Sequence, residues 1–286
     1  MSTVAEPTLA DSITASVQSG ELTGRIWFYS NYHCNLACTY CFTESSPSAP
    51  KRALPPEQIV DLARQAKELG FDKFGLTGGE PFLMPYIVDV AKELGALGPT
   101  ILITNGTVFG PKRFARATEL AGHDVALQIS LDAPDPVLND EMRGPENFAK
   151  VADVIPRLTA EGVRVRIATT IEEDRLDTHQ HSRLCDLHRS WGVVDEDHIV
   201  RPIVTRGRAV DEGMGTELTY DQFPPELSVS VDGAYWGAFG PSFQNGIGDT
   251  DLLLTRTIDP ISVPAAALHR IASGRPHGAD SALGIR

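Results

Sequence analysis

The sequence predicts an α/β protein: a partial (β/α)6 TIM-like barrel followed by a small C-terminal extension of a β-hairpin plus a helix. Three observations carry this. Six short apolar runs alternate with segments of helical period over roughly two hundred residues, the pattern of right-handed parallel crossovers. Six such units are too few to close an eight-unit barrel, so the sheet stays open. Four of the runs end in a short polar signature, and in such folds the chemistry gathers at the C-terminal ends of the strands.

Residues 1–22 are polar and lack a clear period. They read as an N-terminal mobile arm or a short helix, weakly amphipathic from Leu9 to Val17. Gly24 to Ser30 is the first strand, and a cysteine-bearing loop follows it. Residues 43–55, rich in Ser and Pro, form an irregular loop. Pro55-Pro56 then opens a helix with Ile59, Leu62, Ala63, Ala66 and Leu69 at helical spacing and Gly70 as its stop. Lys73 to Thr77 is a strand, Gly78-Gly79-Glu80-Pro81 its turn, and Tyr86 to Leu97 a helix. Thr100 to Thr104 is a strand ending in Asn105-Gly106, and Lys112 to Ala121 a helix. Val125 to Leu131 is a strand ending in Asp132, and Asn147 to Glu161 a helix containing Pro156. Val163 to Ile171 is a strand, and His179 to Trp191 a helix ended by Gly192. His198 to Val204 is the sixth strand.

The pattern then changes. Residues 210–225 read as a loop. Leu227 to Val231 alternates like a strand, Asp232-Gly233 is a hairpin turn, and Ala234-Tyr235-Trp236 starts the return strand. A last helix opens near Ser262 and Pro264 and runs to about Ser273. Gly274 to Arg286 reads as frayed. The expected division is an arm (1–22), a barrel core (23–209) and an extension (210–286) that covers the barrel mouth.

The chain has 286 residues, 42 % of them hydrophobic, enough for a sizeable core. A net charge of −13 argues against nucleic acid or an anionic membrane as the partner. The start lacks a signal-peptide pattern, and no run approaches the ~18 apolar residues of a membrane span. Four cysteines, three of them clustered, suit a reducing cytoplasm and not a disulfide framework. The expected localisation is cytoplasmic.

The cluster is Cys34-Asn35-Leu36-Ala37-Cys38-Thr39-Tyr40-Cys41. Three thiolates on one short loop suit a soft metal or an iron–sulfur centre. A closed zinc site needs four protein ligands, with His33 or Cys185 as the candidates for the fourth. Surface thiols without a metal are a further alternative, though three so close together invite oxidation. The spacing C-x3-C-x2-C, with Tyr40 before the last Cys, resembles the signature of the radical S-adenosylmethionine (SAM) superfamily. The resemblance implies that Cys34, Cys38 and Cys41 each bind one iron of a [4Fe-4S] cluster, and that SAM chelates the fourth.

The resemblance extends to other motifs. Gly78-Gly79-Glu80-Pro81 is similar to the family's GGE motif, which assigns the backbone at Gly78 and Gly79 and the Glu80 side chain to the methionine amino end. Ser130-Leu131-Asp132 resembles the fourth-strand motif, with Ser130 and Asp132 near the ribose or methionyl group. Asn105 then faces SAM or substrate. Arg143 resembles an Arg that pairs with the SAM carboxylate, for which a guanidinium fork is suited. Tyr40 and Phe42 pack against the cluster and adenine, or simply fill the core. Thr169 and Thr170 are candidates for adenine or substrate contact, and Arg206 and Arg208 for an anionic substrate group. Cys185, between Leu184 and Leu187, reads as a buried structural thiol.

The resemblance covers about residues 24–209. It is closest to the branch of the molybdenum-cofactor cyclase and the SPASM/twitch peptide-modifying enzymes. In that branch a hairpin such as Val229 to Trp236 carries cysteines for auxiliary clusters, but no cysteine follows Cys185 here, so the extension is twitch-like without them. What is implied is a one-cluster enzyme that cleaves SAM reductively and removes hydrogen from a substrate. An external reductant of flavodoxin or ferredoxin type supplies the electron. The expected substrate is a small polar metabolite of sugar or nucleoside type on a natural-product pathway. The expected outcome is redox-neutral: epimerisation, dehydration, decarboxylation or rearrangement. A maturase of a ribosomally made peptide is the alternative within the class. A non-catalytic iron–sulfur or zinc sensor and an ordinary (β/α) enzyme with incidental cysteines are the alternatives outside it.

Overall fold

The computed structural model describes residues 8–172 and 178–274. The first seven residues of the expected arm and the tail after Gly274 lie outside the described residues. α1 (Leu9–Ser19) starts at a capping box in which Thr8 Oγ1 accepts from Asp11 N–H and the Asp11 carboxylate accepts from Thr8 N–H.

The six units follow: β1 (Arg25–Tyr29), α2 (Pro56–Glu68), β2 (Lys73–Thr77), α3 (Ile87–Leu97), β3 (Thr100–Thr104), α4 (Pro111–Thr118) and β4 (Val125–Ser130). Then come α5 (Pro136–Arg143), α6 (Asn147–Ala160), β5 (Val165–Ile171), α7 (Thr178–Ser190) and β6 (His198–Pro202). Each strand from β1 to β6 pairs in parallel with the next, in chain order. α5 is an addition to the pattern. Asp135 caps it by accepting from the N–H groups of Val137 and Leu138, and Pro136 occupies its first position. The helix runs through Pro156 in α6.

Strand residues alternate between two faces. Phe28, Leu76, Leu102, Leu127 and Ile167 face the helices, fully buried with Leu62, Ala91, Ile155 and Leu184. The opposite face, with Trp27, Tyr29, Thr77, Gln128, Ser130, Thr170 and Arg201, lines the barrel interior.

The C-terminal residues extend this sheet. After α8 (Arg208–Asp211), β7 (Leu227–Ser230) pairs in parallel with the outer edge of β1, in the register Ile26↔Leu227 and Phe28↔Val229. β8 (Gly233–Trp236) returns antiparallel to β7, as the Asp232-Gly233 turn predicts. β9 (Phe243–Gln244) and β10 (Ile247–Gly248) make a separate small ribbon. β11 (Leu253–Thr255) pairs with β8, and α9 (Ser262–Ser273) follows. The sheet order is β11-β8-β7-β1-β2-β3-β4-β5-β6. Residues 210–225, expected as a loop, contribute part of α8, a turn at Tyr220–Gln222 and the fully buried Phe223. The seam between β7 and β1 is reinforced by Glu226, 1 % exposed, whose carboxylate accepts from Trp27 Nε1 (2.6 Å) and pairs with Arg25 (3.3 Å). Among the described residues no helix is long and apolar enough to cross a membrane.

Candidate active site

The cysteine loop leaves β1 and is held at the rim by its neighbours. Ser30 N–H donates to the Thr77 carbonyl (2.8 Å), Gly79 N–H to that of Asn31 (2.8 Å) and Glu80 N–H to that of His33 (3.0 Å). These contacts explain the glycine pair. A Cβ at Gly79 would lie 2.3 Å from the His33 carbonyl oxygen and 2.5 Å from that of Tyr32. The turn after β2 must therefore lie flush against the ligand loop. Gly79→Ala is expected to lower stability by about 1–3 kcal/mol and to reduce the iron bound per chain. Denaturant unfolding and an iron count check this; parental values for both would show that the loop can yield.

The loop is held from the opposite side as well. Thr39 N–H donates to the Met142 carbonyl (3.0 Å) at the end of α5. Arg208 donates from Nε to the Cys38 carbonyl (2.7 Å) and from Nη2 to that of Ser45 (2.9 Å). Arg208, a candidate for substrate binding in the sequence, is instead a brace of the cysteine loop. Arg206 faces away too, pairing with Asp251 and donating to Ser242 Oγ (3.0 Å).

Inside this rim lies a cavity of about 190 Å³. Cys34, Cys38 and Cys41 line it together with Tyr40, Gly78, Gly79, Asn105, Ser130 and Arg143. Asn105 Nδ2 donates to Asn35 Oδ1 (2.9 Å) and approaches Cys34 Sγ at 3.6 Å. Phe42 and Thr170 also line the cavity. Thr169 does not: its hydroxyl donates to the Leu131 carbonyl and faces the helix layer.

Two expected contacts are arranged differently. Glu80 is fully buried, and its carboxylate accepts from Phe82 N–H, Thr104 Oγ1 and Asn105 N–H at 2.8–2.9 Å. It joins the second and third strand ends and is not part of the cavity wall. Burial holds its carboxyl above the usual range, against those three donors. Asp132 sits one layer behind the wall. Its Oδ1 accepts from Thr170 N–H (2.9 Å) and its Oδ2 from Tyr40 Oη–H (2.5 Å). Arg143 Nη1 donates to the same Tyr40 oxygen (2.8 Å) and lies 3.5 Å from Asp132. Asp132 and Thr170 also border a neighbouring cavity of about 390 Å³ that includes Leu138 and Met142 of α5.

Burial pushes the Cys34 thiol up to about 12 and raises Cys38 as well, the latter against the pull of Arg143. Buried thiols such as Cys34 and Cys38 keep their protons until a cation replaces them. The profile of the radical SAM superfamily matches residues 29–175, from the end of β1 to just beyond β5.

This chain belongs to the radical SAM superfamily.

Relatives within the superfamily differ in substrate. A GTP 3',8-cyclase of Limosilactobacillus fermentum is 36 % identical over 132 residues, 44 % of this chain and 39 % of that protein. A PqqA peptide cyclase of Streptomyces rochei is 25 % identical over 252 residues, 82 % of this chain and 67 % of that protein. Streptococcus suis SuiB bound to S-adenosylmethionine shares the fold with a TM-score of 0.55 at 19 % identity, over 66 % of this chain and 43 % of that one. The chain therefore spans less than half the length of two of these three.

Radical SAM membership implies a [4Fe-4S] cluster and SAM, and the residues present fit both. Among the described residues, one set of three His, Cys, Asp or Glu side chains has ligand atoms all within 4.8 Å of one another, and it is not the cysteine trio. Zn–S bonds of about 2.3 Å keep the sulfurs of a one-ion site within about 4.6 Å of each other. The three cysteines face one cavity but are spread for something larger. His33 instead places its Nδ1 3.3 Å from the Ala49 carbonyl. For SAM, Arg143 Nε is buried without a hydrogen-bond partner at the wall of the same cavity. That is an open donor where an acceptor such as a carboxylate would sit.

Sequence reasoning missed the far wall of this radical SAM cavity. Gln128 lies one inward-facing step below Ser130 on β4; it is 1 % exposed and its Oε1 has no hydrogen-bond partner. Arg201 on β6 lines the same cavity with its Nε buried and unpartnered. Burial pushes its pKa down to about 10, so it remains cationic at neutral pH. A Gln following Val-Ala-Leu in β4 and an Arg following Ile-Val in β6 were the available signal. Cys185 also departs from expectation: it is half-buried, with its sulfur 3.9 Å from nitrogens of His181 and His198.

Proposed function

We propose that this radical SAM enzyme holds one [4Fe-4S] cluster on Cys34, Cys38 and Cys41 and removes hydrogen from a small polar metabolite that carries an anionic group. The observation behind this reading is the single cavity that runs from the three cysteines to Gln128 and Arg201. When bound, the reduced cluster supplies the electron that splits SAM into methionine and a 5'-deoxyadenosyl radical.

The protein's own residues do the rest. The backbone at Gly78 and Gly79, with Asn105 and Ser130, lines the SAM end, and Arg143 offers its open donor to the SAM carboxylate. Tyr40 lines the same cavity and transmits the position of Asp132 to Arg143. Glu80 and Asp132 serve by fixing these neighbours. Arg201 and Gln128 pair with an anionic oxygen and an adjacent polar group of the substrate, holding the target C–H within reach. Ala238 and Phe239, from the 210–286 extension, line the same cavity, which supports a role for that segment as its cover. A flavodoxin- or ferredoxin-type reductant in the cytoplasm delivers the electron. The outcome in this reading is redox-neutral. A peptide substrate is the second reading, favoured by the long match to a peptide cyclase.

The test is anaerobic reconstitution followed by dithionite and SAM, with 5'-deoxyadenosine read by mass spectrometry. The expected result is about four irons per chain and 5'-deoxyadenosine that disappears in Cys38→Ala. A panel of phosphorylated sugars, nucleotides and peptides then sorts the substrates by deuterium transfer. Four irons without 5'-deoxyadenosine would leave a structural or sensory cluster and overturn the enzymatic reading.

A further inference from the structure

On the outer face of the barrel, away from the cysteine loop, α7 packs over β6, an end strand of the sheet. His181, Cys185 and His188 recur at helical spacing along one face of α7, and His198 opens β6 beside them. The ligand atoms of His181, Cys185 and His198 all lie within 4.8 Å of one another. Cys185 Sγ is 3.9 Å from His181 Nδ1 and 3.9 Å from His198 Nδ1. A tetrahedral zinc ion, with bonds of about 2.3 Å to sulfur and about 2.0 Å to nitrogen, sets that edge at about 3.5 Å. The two sulfur–nitrogen edges lie a few tenths of an ångström from that value, and the nitrogen–nitrogen edge is within 4.8 Å.

Two further observations point to a ligand. Thr169 Oγ1 lies 3.0 Å from His198 Nε2 and donates its own hydrogen to the Leu131 carbonyl (2.7 Å). It must therefore accept from Nε2–H. That fixes the tautomer and turns the bare Nδ1 lone pair toward Cys185, as the outer partners of metal-binding histidines do. Second, His188 is 1 % exposed, and both its ring nitrogens are buried without a hydrogen-bond partner. Its ring centroid is 4.3 Å from that of His198. An orphaned buried polar group is a standing penalty that a coordinate bond removes. His181 is exposed, so an ion can reach the site from solvent.

We propose that His181, Cys185 and His198 hold a zinc-class divalent ion, with His188 turning in as the fourth donor. The ion pins α7 to the end strand and is separate from the iron–sulfur chemistry.

To keep zinc uptake at the three loop cysteines out of the count, the test removes them. The full chain carrying Cys34→Ala, Cys38→Ala and Cys41→Ala is equilibrated with Zn²⁺ and, separately, Co²⁺. We expect one zinc per chain by elemental analysis and a thiolate-to-cobalt charge-transfer band. Adding Cys185→Ala should abolish both. Thr169→Val should weaken zinc binding by about 10–100-fold. His188→Leu should reduce the protein donors seen by X-ray absorption from four to three. Should the triple variant not fold, zinc is counted in the iron-loaded parent against iron-loaded Cys185→Ala. No bound zinc, or zinc retained without Cys185, overturns the site; four protein donors in His188→Leu overturn the assignment of His188. None of these readouts depends on SAM cleavage, so the outcome is independent of the proposed enzymatic reaction.

Discussion

Arg143→Met is expected to lower unfolding stability by about 3–5 kcal/mol, a large part of the ~5–15 kcal/mol that holds a domain together. Arg143 and Asp132 have side chains 6 % and 3 % exposed, and Tyr40 Oη bridges them. Removing the guanidinium strands a buried carboxylate with only the neutral donors Tyr40 Oη and Thr170 N–H to hold it. The deficit has a direction in pH. Burial already holds Asp132 above the usual carboxylate range even with Arg143 pulling it down. Without Arg143 the folded pKa climbs further, while the unfolded value stays near ~3.9. A group whose folded pKa lies above its unfolded one favours the fold at low pH and loses that contribution as pH rises through the folded value. The variant should therefore be closest to the parent in acid and furthest from it near neutrality. Denaturant titrations at several pH values check this, and a deficit constant with pH would show that Asp132 is not the stranded partner. Iron content should fall too, because the Met142 and Arg143 carbonyls face Thr39 and Cys38 of the ligand loop.

Arg201→Met should separate two activities that loss of a cluster ligand abolishes together. SAM cleavage to 5'-deoxyadenosine is expected to persist, because the cysteines and the Arg143 donor are untouched. Conversion of an anionic substrate should fall by about thirtyfold or more in kcat/KM, since truncating a buried charged partner costs about 2–5 kcal/mol. The split between uncoupled cleavage and product formation is the readout. A variant with parental turnover of every anionic substrate would remove Arg201 from the binding site.

The barrel was legible because its elements are local. Ile59, Leu62, Ala63 and Ala66 recur at helical spacing, and the strands Lys73–Thr77 and Thr100–Thr104 begin and end where their turn residues say. α5 escaped because Pro134 and Pro136 break any helical period over this short segment, although Asp135-Pro136 is also a helix start. β9, β10 and β11 are two or three residues long, too short for any period to register. In the site, residue types were readable and directions were not. Whether Glu80 faces the cavity is decided by Thr104 and the Asn105 N–H, donors from a different strand. Cys185 between two leucines suggests a core position, but its neighbours in space are set by the helical turn back to His181 and by the distant His198. Arg201 could not be placed from sequence because only the curvature of the sheet brings β6 across from β1.

The pairing of β7 with β1 has a consequence for how the nascent chain folds. The two strands lie about two hundred residues apart, which at ~5–20 residues per second is roughly 10–40 s of translation. Once β2 has followed, β1 has a partner on one side and an open ladder of N–H and C=O groups on the other for the rest of that interval. Glu226, which engages Trp27 and Arg25, does not yet exist. An unsatisfied edge of this kind recruits whatever strand is at hand, including one from the next chain on the same message. The hairpin thus acts as a late latch, and the yield of folded protein depends on keeping the first strand's edge unclaimed until it arrives.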